Sequence, residues 1–119
     1  MATGRSITQQ SGEAAERQAA SFLEGQGLTV IARNYRCRGG EIDLIAQDGD
    51  TLVFVEVRAR RNTNYGGAAA SITHRKQQRL IYAARHYLMH LPHEPLCRFD
   101  AVLIDGERLE WLRSAFDGF

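Results

Sequence analysis

Two short runs constrain this chain more than anything else in it: Gly-Glu-Ile-Asp-Leu-Ile at 40–45 and Val-Phe-Val-Glu-Val-Arg at 53–58, with Asp48-Gly49-Asp50 between them. Leu44, Ile45, Leu52, Val53, Phe54, Val55 and Val57 mark both as strands buried on two faces, and the Asp/Gly cluster marks a turn. Asp43 and Glu56 sit inside these apolar runs, where acidic side chains do not ordinarily belong. A carboxylate buried in such a place needs a cation, a proton or several hydrogen-bond donors.

Parity takes the geometry further, because side chains alternate along a strand and a two-residue turn fixes which positions face each other. A turn at Gly49-Asp50 sets Asp43 directly opposite Glu56. A turn at Asp48-Gly49 sets Asp43 opposite Phe54 and leaves Glu56 one diagonal step away on the same face. A three-residue loop without a compensating bulge sends the two acids to opposite faces. Arg58, two residues beyond Glu56, projects alongside it, while Val53, Val55 and Val57 point the other way into a core.

The 119 residues suffice for one domain and one core. Residues 1–12, rich in Thr, Gly, Ser and Gln, read as a flexible tail, and 13–119 as the folded unit. No stretch reaches the roughly 20 apolar residues of a membrane span, and the N-terminus has no secretory pattern, so the expected location is the cytoplasm. Cys37 and Cys97 lack zinc-ligand spacing and read as reduced thiols. The formal net charge is +1, so any nucleic-acid signal lies in its distribution. Arg33, Arg36 and Arg38 precede the first acidic run, Arg58, Arg60 and Arg61 end the second, and Arg75, Lys76 and Arg79 open a later helix. Together they bracket the acidic hairpin, and Arg60, Arg61, Arg75, Lys76 and Arg79 are candidate nucleic-acid contacts.

The remaining pattern predicts a helix from Ser11 or Gly12 to Glu24, with Ser11 as its cap, and a strand over Leu28–Asn34. A polar loop follows at 62–67, then a helix over 71–91 in which Arg75, Arg79, Tyr82 and His86 share one face. A strand at 96–104, a turn at Asp105-Gly106 and a short strand at 108–112 complete the chain. Tyr35 and Tyr65 are expected in loops, the histidines as solvated or interface groups, and Phe116 and Phe119 have no assigned place. Helix, strand, acidic hairpin, helix and two strands fit an α/β fold, a mixed sheet flanked by helices.

Asp43 followed by Glu56-Val57-Arg58 resembles the PD-(D/E)xK pattern of restriction-endonuclease-like nucleases. With Arg98-Phe-Asp100 added, the order and spacing of the segments resemble the YraN-like family of predicted bacterial nucleases, over roughly Glu13 to Phe116. The resemblance implies a restriction-endonuclease-like fold akin to that of archaeal Holliday-junction resolvases, with an acid from the first helix completing a metal site. Glu16 matches that acid better than Glu13. The family usually has Lys at the last motif position, where this chain has Arg58.

The implied chemistry is divalent-metal-dependent hydrolysis of DNA phosphodiester bonds, with branched DNA a candidate substrate. Mg²⁺ or Mn²⁺ would neutralise the scissile phosphate and help the leaving oxygen. Asp43 and Glu56 would be ligands, with Glu16 and the Val57 carbonyl as further candidates. Arg58 cannot serve as a base, since a guanidinium does not give up its proton at neutral pH, but it can clamp phosphate. Deprotonating the water would then fall to the metal, Glu16 or Lys76. A homodimer would provide two cuts on a symmetric substrate. Against this stands a noncatalytic nucleic-acid-binding or assembly module on a nuclease scaffold. Asp43 and Glu56 could also be strand acids neutralised by Arg58, Glu16 an exposed helix acid, Glu41 a partner of Arg36 or Arg38, and Asp100 one member of a structural salt bridge.

Overall fold

A computed structural model of the chain describes the backbone of residues 7–60 and 72–118 and the side chains of residues 12–59 and 72–118. Its elements run α1 (Ile7–Gly25), β1 (Thr29–Cys37), β2 (Gly40–Asp48), β3 (Thr51–Arg60), α2 (His74–Leu88), β4 (Leu96–Asp105) and β5 (Arg108–Phe116). The five strands form one sheet in the order β1-β2-β3-β4-β5. Neighbours are antiparallel except β3 and β4, which are parallel and joined through α2, the long crossover that parallel pairing requires. This is the expected α/β architecture, a mixed sheet between helices, consistent with a restriction-endonuclease-like fold.

The sheet is apolar on both faces because each carries a helix. Val53, Val55 and Val57 of β3 pack with Leu44 and Ala46 against Ala15, Ala19, Ala20 and Leu23 of α1. Leu52 and Phe54 pack with Ile45 and Phe99 against Leu80, Ala83 and Ala84 of α2. Small residues on both helices let each backbone settle close to the strands. Gly40 takes this to the limit: a Cβ there would lie 2.1 Å from the Arg79 carbonyl oxygen, so only glycine lets α2 cross the start of β2.

Several boundaries differ from the sequence expectation. α1 begins at Ile7, so residues 7–12, expected in the tail, are helical and Ser11 lies inside the helix instead of capping it; once a turn exists, each added residue gains a hydrogen bond. Its end is sharper, with Leu28 N–H donating to Leu23 O and Gly27 N–H to Glu24 O at 3.1 Å each. Gly27, at φ +98°, supplies the left-handed residue of this Schellman closure. α2 begins at His74, capped by Thr73, whose Oγ1 accepts from Lys76 N–H at 3.2 Å. The last hairpin turns at Gly106-Glu107, one residue later than expected, since Asp105 pairs with Arg108. β5 extends to Phe116, whose ring stacks on Phe99 at 5.0 Å. Phe119 and the loop at 62–67 with Tyr65 lie outside the described residues.

Asp100, fully buried, ties β4 to β5 and to the turn of the acidic hairpin. Its carboxylate accepts from Arg98 Nε at 3.0 and 3.2 Å, Trp111 Nε1 at 3.0 Å and the Ser114 N–H at 2.9 Å. Arg98 also reaches Asp48 Oδ2 at 2.9 Å. The expected structural salt bridge is therefore present, and it organises the β5 irregularity in which Ser114 adopts φ +51°.

Candidate functional site

The β2–β3 hairpin turns at Gly49-Asp50, since Asp48 pairs with Thr51 and the register continues to Leu44 opposite Val55. One step further this register sets Asp43 against Glu56, the first of the turn geometries considered. There the ladder stops. The Val57 N–H donates to Asp43 Oδ2 at 2.8 Å, so a carboxylate takes the place of a strand carbonyl.

Why the strands part at Asp43 is visible in the packing. Ile42 and Ile45 both face α2, although strict alternation would put residues three apart on opposite faces. Alternation along β2 thus slips once between them, at the position of Asp43. Across the sheet, Arg33 pairs with Leu44 and Tyr35 with Ile42, leaving Asn34 beside Asp43. Asn34 has φ +52°, a left-handed conformation that Asn tolerates better than most residues. β1 and β2 deform together there, and a gap opens between β2 and β3.

Three acids meet in that gap. Glu16 comes from α1, Asp43 from β2 and Glu56 from β3, and all three line one cavity of about 360 Å³ with Arg58, Lys76 and Arg79. Asp43 is the hub, hydrogen-bonded to both Glu16 and Glu56. Burial pushes Glu56 up to about 8, the negative charge of Asp43 and a hydrogen bond to it push the same way, and Arg58 and Lys76 oppose them without winning. Burial likewise raises Glu16 to about 7, aided by Asp43, while an Asn34 hydrogen bond favours the ionised form. At neutral pH the cluster therefore holds protons that a cation could replace.

Cations surround the acids. Arg58 Nη2 lies 3.2 Å from Glu56 Oε2, as their two-residue spacing requires, and the side chains are only 28% and 13% exposed. Arg58 Nε is buried without a hydrogen-bond partner. Lys76, in the first turn of α2, acts on Glu56 from the other wall. Glu41 pairs with Arg36 at 3.4 Å on the exposed rim. Among the described residues no group of three or more His, Cys, Asp or Glu side chains forms a ready metal cage. The donors are nevertheless all carboxylate oxygens, the ligand type of Mg²⁺ and Mn²⁺, and Mg²⁺ usually retains several waters. Two or three carboxylates suffice for such an ion.

The structure thus brings Asp43, Glu56, Glu16, Arg58 and Val57 together as expected from the sequence, and Lys76 and Arg79 with them. Arg75 is exposed and outside the cavity wall. The Arg60 side chain and all of Arg61 lie outside the described residues. Asn34 was missed; its one signal was an Asn in a β-branched run, which reads as a strand end. Tyr35, expected in a loop, belongs to β1, where its hydroxyl bonds His86 Nδ1 at 2.5 Å and its ring packs edge-on to Tyr87. His86 is consequently partnered and not simply solvated. No helix among the described residues is long and apolar enough to cross a membrane.

Comparison with known proteins adds a family. A UPF0102 protein of Nitrosospira multiformis is 59% identical over 109 residues, covering 89% of this chain and 92% of its own length. One from Nitrosomonas eutropha is 59% identical over 113 residues, covering 94% and 97%, and one from Herminiimonas arsenicoxydans is 52% identical over 113, covering 95% and 91%. The family described as "Uncharacterised protein family UPF0102" matches residues 15–104, which include every acid of the cavity. The chain belongs to this UPF0102, or YraN-like, family.

Proposed function

We propose that the cavity is the active site of a divalent-metal-dependent endonuclease that hydrolyses DNA phosphodiester bonds. The observation that carries this reading is the convergence of Glu16, Asp43 and Glu56 where β2 and β3 part, ringed by Arg58, Lys76 and Arg79. Acids alone would suit only a cation, and bases alone only an anion. Both in one cleft suit a metal ion and the phosphate it neutralises.

Asp43 and Glu56 would hold Mg²⁺ or Mn²⁺, with Glu16 and the Val57 carbonyl completing the protein's share. When bound, the ion would offset charge on the phosphate and lower the pKa of a coordinated water. Arg58 remains cationic throughout and binds a phosphate oxygen, which also provides a partner for its orphaned Nε–H. Lys76 provides the second positive charge, from α2 instead of from the last motif position. Glu16, raised to about 7 by burial and the Asp43 charge in the metal-free site, would give up its proton as the ion binds.

The test is to incubate the protein with linear, single-stranded and four-way-junction DNA in Mg²⁺ or Mn²⁺, beside Asp43→Ala and Glu56→Ala. Cleavage by the wild type, lost in EDTA and in both variants, is the expected result. Cleavage undiminished in the variants places the chemistry elsewhere. DNA binding without turnover would instead identify a noncatalytic module, the alternative suggested by the Arg58–Glu56 pair in place of a motif lysine.

A further inference from the structure

The face of α2 that carries Arg75 and Arg79 continues past the cavity to Tyr82, which the proposed chemistry leaves without a role. Tyr82 is 55% exposed, one of few large apolar side chains so placed among the described residues. Its ring is nonetheless backed. A Cβ on residue 39 would lie 3.0 Å from Tyr82 Cε1, 3.3 Å from Cδ1 and 3.5 Å from Cζ, so one face of the ring lies over bare backbone at Gly39, where φ is +100°, and the opposite face is the one left for a base. Gly39 belongs to the β1–β2 turn, since Cys37 pairs with Gly40. That turn and the close crossing at Gly40 fix the ring relative to β2.

We infer that Tyr82 is a stacking platform for an unpaired base next to the phosphodiester held in the cavity, which makes the preferred substrate DNA with a single-stranded segment at the cut. This rests on the nuclease reading above and names its substrate class. Arg75, Arg79 and Tyr82 follow at helical spacing, and Arg79 in the cavity wall precedes Tyr82 by about 4.5 Å along the axis. Exposed Arg75 and Arg79 flank the ring's approach with charge suited to a phosphate backbone. A basic track interrupted by an anchored aromatic face is the pattern for strands whose bases are free to stack. A fully paired duplex keeps its bases inside and gains nothing from the ring.

Fluorescence anisotropy in EDTA separates this from the nuclease reading, because no cleavage is needed. The probes are a short single-stranded DNA and the same sequence as a blunt duplex, titrated with wild type, Tyr82→Leu, Tyr82→Phe and Tyr82→Trp, each checked for an unchanged thermal midpoint. Leu retains apolar bulk over Gly39 without an aromatic face. Its affinity for the single strand should fall roughly tenfold or more, with Phe and Trp near wild type and duplex affinity unmoved. Equal single-strand affinity in wild type and Tyr82→Leu overturns the platform while leaving the nuclease reading intact. Equal losses on both probes also overturn it, as a general surface effect. A wild type that binds neither probe overturns the platform, and the nuclease reading is then decided by the cleavage assay alone.

Discussion

Glu56 offers a test of the cluster that requires no substrate. Its folded pKa of about 8 exceeds its ordinary value of 4.5, so between those values the folded chain holds a proton that the unfolded chain has released. Stability contributed by this group is fully present below about 4.5 and is lost as pH rises through about 8. At a limit of about 1.4 kcal/mol per pH unit, the loss between pH 5 and pH 8 is roughly 3 kcal/mol, or about 12 °C in a domain of this size. A side chain only 13% exposed needs little discount for solvent. Glu56→Gln, a neutral mimic of the protonated acid, should remove this slope. Urea unfolding in EDTA at several pH values, wild type minus variant, isolates it from the rest of the chain. The opposite outcome has a definite meaning: if the Arg58 ion pair outweighed burial and Asp43, wild type would gain on the variant as pH rose. Parallel curves would likewise refute the assignment.

Further outcomes follow from named contacts. Asp100→Ala should cost about 3 to 5 kcal/mol by urea unfolding, because it removes the buried acceptor shared by Arg98 Nε, the Trp111 indole N–H and the Ser114 N–H, leaving Arg98 only Asp48; a loss below about 1 kcal/mol would make the network ornamental. Gly40→Ala must push α2 away from β2, since its methyl would meet the Arg79 carbonyl, and about 1 to 3 kcal/mol of destabilisation is expected. An unchanged thermal midpoint would mean that the helix crosses elsewhere. Lys76→Gln removes a charge that lowers the Glu56 pKa, so the Glu56 titration, followed by carboxyl carbon NMR, should move upward. No movement would put Lys76 outside the site.

The acid hairpin was readable because two-residue turns and strand parity are local rules. Either two-residue turn puts Asp43 and Glu56 on one face; the choice of Gly49-Asp50, with Asp48 paired to Thr51, was left open by the sequence and is made by the observed register. The parting of the strands was not readable, since it depends on the left-handed Asn34 in β1 and on the slip between Ile42 and Ile45. Asn34 also explains the misplacement of Tyr35: a residue that breaks strand geometry looked like a strand end, yet pairing resumes and carries β1 to Cys37. Glu16 could be named only through family resemblance, because helical spacing says which side of α1 it occupies but not that a gap awaits it. Lys76 was legible as one of a basic cluster. Its entry into the cavity depends on Gly40 and on the Thr73 cap, which set where α2 begins and how near it lies.

Calorimetric titration of Mn²⁺ at pH 8, in buffers of different ionisation enthalpy, asks whether these oxygens gather a divalent ion. Wild type should bind with release of protons from the cluster, more protons at pH 7 than at pH 8, and Asp43→Ala and Glu56→Gln should abolish binding. Absence of heat with wild type, or an isotherm that both variants leave unaltered, would contradict a metal centre between β2 and β3.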